Sequence, residues 1–218
     1  MSPRARLELV PDDSVELVAL DLEGSGAQDR EDEAILEIAV VTIVDWEPQT
    51  ATSYCTLVNP GRPIPRRPWI SPGLTDTVLA NAPPIAAVEP HLATMINGRY
   101  IVGHNVNVDW RLLHRRCPTI SPVGLIDTLR LARATDLHGS RSLTALVEQL
   151  DLTEYVAELA NGSQPHRALW DTYATALVLR ALAARMKGQP SLAELINLAG
   201  QSLAAGPFVE QPSLFDQT

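Results

Sequence analysis

Three apolar segments follow one another near the start of the chain with only short connections between them. They are SVELVALDLEG at 14–24, AILEIAVVTIV at 34–44 and TSYCTLVNP at 52–60. Each is short and rich in Val, Leu or Ile, so each reads as a strand. Asn-Pro closes the third. Sequential strands with short links pair as neighbours, which predicts an antiparallel meander. Beyond residue 70 the pattern changes. SPGLTDTVLANAPP predicts a short helix ending before Pro83, and 84–98 a helix stopped by Asn-Gly. YIVGHN at 100–105 is a strand and VDWRLLHRR a helix. VGLIDTLRLARA is a short strand running into a helix that Asp127 is placed to cap. Helices are expected at 142–150, at 166–188 and at 191–204. Strands first, then strand–helix alternation, give an α/β fold with a mixed sheet covered by helices.

The expected organisation is an N-terminal extension at 1–13, a body at 14–188, a C-terminal helix at 189–205 and a flexible tail at 206–218. The net charge of −9 argues against a nucleic-acid binder that works through a broad basic surface. It is compatible with a site that receives phosphate through bound metal ions. The basic runs RPIPRR at 62–67 and RLLHRR at 111–116 are then flanks of such a site, or simply solvated faces. No apolar run reaches 18 residues, so no membrane span is expected. The N-terminus lacks the apolar stretch of a signal peptide. Cys55 and Cys117 form no metal-type pair. A cytoplasmic location is the expectation.

The chemistry begins in LDLEG. Residues two apart on a strand share a face, so Asp21 and Glu23 stand side by side at a strand end. Two carboxylates there repel each other unless a cation lies between them; a solvated strand end accounts for a bare D-x-E as well. Asp109 falls in the first turn of a helix, where the helix dipole favours an acid. His104 and Asn105 stand at a strand end, where α/β sheets bind ligands. Asp171 lies in an apolar helix and needs a partner. His166 is five residues earlier, a rotation of about 140° along a helix, so the two would not share a helical face. His166 is therefore placed on a loop at the helix mouth, with Asp171 fixed inside. That division suits a general base over a metal site, and a capping or loop histidine equally.

Taken in order, D-x-E, H-N-x-x-x-D and H-x-A-x-x-D resemble the DEDDh family of 3′–5′ exonucleases, which includes the proofreading subunit of the bacterial replicative polymerase. LVNPGRPIP, SPGLTDTVLANAPP, LIDTLRLAR and SLTALVEQL resemble the family's connecting segments, and the likeness covers about 14–187. It implies a ribonuclease H-like fold, a five-stranded mixed sheet flanked by helices. It implies that Asp21, Glu23, Asp109 and Asp171 are the four family acids, holding two divalent cations, Mg²⁺ or Mn²⁺. Asp21 would bridge both ions, Glu23 and Asp171 complete the one that holds the attacking water, and Asp109 support the other. His166 would be the general base. Substrate contacts are expected from Leu22, Gly24, Leu74, His104 and Asn105, with Leu74 against the terminal base. The chain departs from the family where Gly24 and Ser25 follow D-x-E in place of Thr or Met, which leaves the contact to the backbone, and where Val108 stands in place of Phe.

The function so implied is removal of nucleotides from the 3′ end of DNA. The alternatives are an exoribonuclease acting on short or single-stranded RNA and a non-catalytic scaffold, although no ligand of the set is missing. In the tail, QPSLF resembles the Q-x-[S/D]-L-F peptide that docks bacterial proteins on the DNA sliding clamp. Gln211, Ser213, Leu214 and Phe215 carry the match. Burying one Leu and one Phe, each worth about 1.5–3 kcal/mol before the tail is ordered, is consistent with micromolar affinity. The other reading folds Leu214 and Phe215 back onto the last helix. A DNA polymerase subunit is a further candidate partner that the resemblance suggests.

Overall fold

The computed structural model describes residues 17–26, 31–64, 67–186 and 190–204. The three apolar segments become β1 (Leu17–Gly24), β2 (Ile35–Val44) and β4 (Tyr54–Leu57), with the two-residue β3 (Glu47–Pro48) between the last two. Helices α1 (Asp76–Leu79) and α2 (Ile85–Ile96) follow, then β5 (Tyr100–Gly103), α3 (Asn107–Arg116), β6 (Gly124–Asp127) and α4 (Thr128–Arg133). The chain continues through α5 (Leu143–Gln149), α6 (Thr153–Leu159), α7 (Ala168–Ala184), α8 (Leu192–Ala199) and the two-residue β7 (Gly200–Gln201). The sheet order is β3-β2-β1-β5-β6-β7, with β4 also paired to β2. Pairs β1–β2, β2–β4 and β6–β7 are antiparallel, and β1–β5 and β5–β6 are parallel. The meander and the mixed sheet are as expected. The five expected strands are joined by β3 and β7, which are too short to leave a periodic signature.

Alternation along the strands sorts the side chains into two layers. Val18, Leu20, Ile38, Val40, Ile101 and Leu125 pack with α2 and α3 on one face. Ala19, Val41, Ile43, Val102 and Ile126 pack under α7 and its neighbours on the other. Helix α7 is apolar nearly all round because it is covered nearly all round. Its small residues Ala168, Thr172 and Ala176 are fully buried or nearly so, which lets the helix lie close to the sheet.

Several expected boundaries shift. The helix read over 166–188 begins at Ala168, so His166 and Arg167 belong to the approach. The helix read over 191–204 ends at Ala199. A Cβ on Gly200 would lie 2.4 Å from the Ile196 carbonyl, and the chain there turns extended to pair with β6. TEYVAEL, which no expectation covered, forms α6. Asp127 does cap α4, accepting from the Leu129 N–H at 2.9 Å.

Candidate active site

Asp21 and Glu23 lie at the C-terminal end of β1 on the face that α7 covers. Across the β1–β2 ladder Asp21 stands opposite Ala39 and Glu23 opposite Glu37. The small Ala39 leaves room above Asp21, and the first turn of α7 brings Asp171 there. One carboxylate oxygen from each of Asp21, Glu23 and Asp171 lies within 4.8 Å of the others. Asp109 arrives from the first turn of α3, is 7 % exposed, and accepts hydrogen bonds from the backbone N–H of Leu22 and from its own.

Like charges in so small a volume shift every member toward the protonated form. Burial, then Asp109, Asp171 and Glu23, push the Asp21 carboxyl well above the usual carboxylate range. Burial likewise raises Asp109, with Glu23 adding to it. Glu23 is pushed up to about 7, by burial first and by Glu37, against a hydrogen bond from Ser71 and the charge of Arg167. Asp171 is also pushed up to about 7, by burial and by Glu23, against a hydrogen bond from the His166 backbone N–H. Such a set is at odds with itself until a cation joins it. The donors are all carboxylate oxygens, which fits a hard divalent ion such as Mg²⁺ or Mn²⁺ and not a thiophilic one.

His166 lies at the mouth, exposed, with φ +65°, two residues ahead of α7. This left-handed residue turns the chain back so that its own N–H meets Asp171. At the end of β5, His104 Nδ1 is 2.9 Å from Thr128 Oγ1, and burial lowers its pKa. Asn105, at φ +64°, donates its N–H to Asp127 at 2.9 Å. Leu22 points away from the acids into the α2–α3 layer and is 9 % exposed; its backbone is what faces the site, through Asp109. A Cβ on Gly24 would meet Leu112 Cδ2 at 3.0 Å, so a larger residue there must displace a buried leucine. Leu74 is 4 % exposed and packs with Leu36 and Leu79, which leaves little of its side chain for a base. Gln211, Ser213, Leu214 and Phe215 lie outside the described residues, as does the extension at 1–13.

Three residues that bear on the site escape the motif reading. Ser71 Oγ donates to Glu23 Oε2 at 2.5 Å from the loop before α1. Glu37 is 4 % exposed and grips Arg167, Nε to Oε2 at 2.8 Å and Nη2 to Oε1 at 2.6 Å. A glutamate inside the apolar run ILEIAVV is itself a signal, because a buried charge needs a partner. Nothing in a loop serine marks it in advance.

Residues 18–179 match the family described as Exonuclease (RNase T). A PolC-type DNA polymerase III from Thermotoga petrophila is 35% identical over 189 residues, which are 83% of this chain and 13% of that protein. A DNA polymerase III subunit epsilon-like protein from Rhodobacter capsulatus is 33% identical over 185 residues, 82% of this chain and 25% of that one. The chain thus spans a quarter or less of the length of these curated relatives. The solved structure of exonuclease X in complex with 5′ overhanging duplex DNA superposes with a TM-score of 0.63 at 27% identity, over 84% of this chain and 98% of that one.

Proposed function

The chain belongs to the exonuclease family, and from that premise we propose that it is a 3′–5′ exonuclease acting on DNA with two divalent cations, Mg²⁺ or Mn²⁺. The observation that carries this reading is the convergence of Asp21, Glu23 and Asp171 within 4.8 Å, beside Asp109, with the His166 backbone N–H donating to Asp171. Asp21, on which the charges of the other acids act, would hold both ions; Glu23 and Asp171 would hold one of them with it, and Asp109 would support the other. When bound, the ions supply the positive charge that lowers the barrier to attack and steadies the leaving oxygen.

The protein's own groups do the rest. Ser71 orients Glu23. His166 takes the proton of the attacking water, and its place on an exposed turn lets it reach solvent to release that proton. Asn105 and His104, at the end of β5, line the approach of the terminal nucleotide, and the backbone at Gly24 allows the sugar close. The bond broken is P–O3′ of the penultimate residue, and the products are a 5′-mononucleotide and a shortened 3′ hydroxyl. We propose DNA over RNA as the substrate, a reading supported by relatives named as DNA polymerase III proteins and by the likeness to an exonuclease solved with duplex DNA, which spans nearly that whole chain.

The test is a sequencing gel of 5′-labelled DNA and RNA oligomers with Mg²⁺ or Mn²⁺. A ladder shortening from the 3′ end, lost with chelator and in Asp171→Ala, is expected, faster on DNA. A faster RNA ladder would reassign the substrate, and no ladder on either would remove the catalytic reading. For the tail, we infer docking of Gln211–Phe215 on a sliding clamp, supported by the sequence match alone. Fluorescence anisotropy with a bacterial clamp should show micromolar binding that a Leu214→Ala, Phe215→Ala double variant loses. Unchanged binding in that variant counts against the motif.

A further inference from the structure

Glu37 is assigned no step of the reaction, yet it is buried at the edge of the site, registered across the ladder from Glu23. Its carboxylate holds the Arg167 guanidinium at two points, 2.8 and 2.6 Å. The same carboxylate accepts the Ala168 N–H at 3.1 Å. Ala168 is the first residue of α7, and its N-cap, Arg167, makes no side-chain cap of its own. The first amides of a helix need an acceptor. Here it comes from a strand 131 residues earlier in the chain. The carboxylate also lies at the positive end of the helix dipole, where a negative charge is favoured.

What this grip fixes is the step from loop to helix. Immediately before Arg167, His166 adopts φ +65°, a conformation that costs a non-glycine residue about 1–2 kcal/mol and needs support from its surroundings. On one side of that residue, its N–H is held by Asp171. On the other, Arg167 and Ala168 are held by Glu37. The left-handed residue is thus pinned at both flanks by carboxylates, one from the reaction centre and one from β2.

We propose that Glu37 is a positioning residue, acting through Arg167 and Ala168 to hold His166 in the conformation from which it serves as base. This rests on the exonuclease reading. Arg167 has the bidentate geometry that lysine cannot reproduce, so the pair sets direction as well as charge.

The experiment is a double-mutant cycle of Glu37→Gln and His166→Ala in the full chain, with single-stranded DNA and Mn²⁺. In the wild-type background Glu37→Gln should lower kcat by about ten- to a hundredfold, as support groups behind a reacting side chain do, with KM within about twofold. In the His166→Ala background the further loss should shrink to within about twofold. The same loss in both backgrounds, or none in either, overturns the proposal. Should Glu37→Gln fail to fold, Arg167→Lys takes its place in the cycle. Amide hydrogen exchange gives a second readout. Glu37→Gln should speed exchange at Ala168 and Asp171 while leaving β5 unchanged, and unaltered exchange there overturns the grip itself. If the wild-type protein cleaves nothing, the functional reading fails, and the exchange measurement still judges Glu37.

Discussion

Each acid of the site works against the fold that contains it. Asp21 is the clearest case, raised by burial and by four other carboxylates. Replacing it with asparagine keeps the shape and removes one repelling charge. Asp21→Asn should therefore melt higher than wild type when both are metal-free at pH 8, each kcal/mol relieved adding about 2–4 °C, while cleavage is abolished. A metal-free variant that melts lower would show that Asp21 has a protein partner at that pH. Asp21 and Glu23 were legible because strand alternation places them together whatever the rest of the chain does. Asp171 was legible as an acid in an apolar helix. Ser71 was not, since a loop residue acquires its partner only from tertiary structure, and Leu74 matched a motif position whose side chain the fold then turned inward.

Among the elements, the long ones were readable and the short ones were not. β1 and β2 announce themselves by composition, and α7 by length. The two-residue β3 and β7 carry no period at all, and α6 is a seven-residue helix with one fully buried position. β7 nevertheless closes the sheet edge and fixes the chain's last described turn. Arg130 Nη1 donates to the Gly200 carbonyl at 2.9 Å, Gln201 Nε2 reaches Asp127 at 3.3 Å, and Trp110 Nε1 donates to the Leu203 carbonyl at 3.1 Å. Gly200→Ala should break this return, because its Cβ would meet the Ile196 carbonyl at 2.4 Å. A loss of about 1–3 kcal/mol in urea unfolding is expected, with faster exchange at Ile126, the residue registered against Gly200. Full stability in that variant would mean β7 contributes nothing to the fold.

For the molecule as a whole, the acidic site makes stability depend on pH and, under the proposed two-ion reading, on metal as well. Glu23 and Asp171 stay protonated to about 7 in the folded protein, whereas the unfolded chain releases those protons in the ordinary carboxylate range near 4. Across that window the folded state binds more protons, so stability falls as pH rises. The chelated protein should melt lower at pH 8 than at pH 5.5, and Mg²⁺ should raise the midpoint more at pH 8. Calorimetry of Mg²⁺ binding at pH 6.5 in buffers of different ionisation enthalpy should register proton release. A flat melting profile, or binding without proton release, counts against a carboxylate metal site. The order of motifs made this topology readable in outline. The Glu37–Arg167 contact, between residues 130 apart, needed the folded chain, because neither residue by itself names the other.

One rung of the β1–β2 ladder sets two chemically identical side chains next to each other, Glu23 and Glu37. A guanidinium is bound to one of them. Arg167 offsets the Glu37 charge and also lowers the pKa of Glu23 against the burial that raises it. One arginine, 130 residues further along the chain than Glu37, thus sets how much repulsion this rung carries.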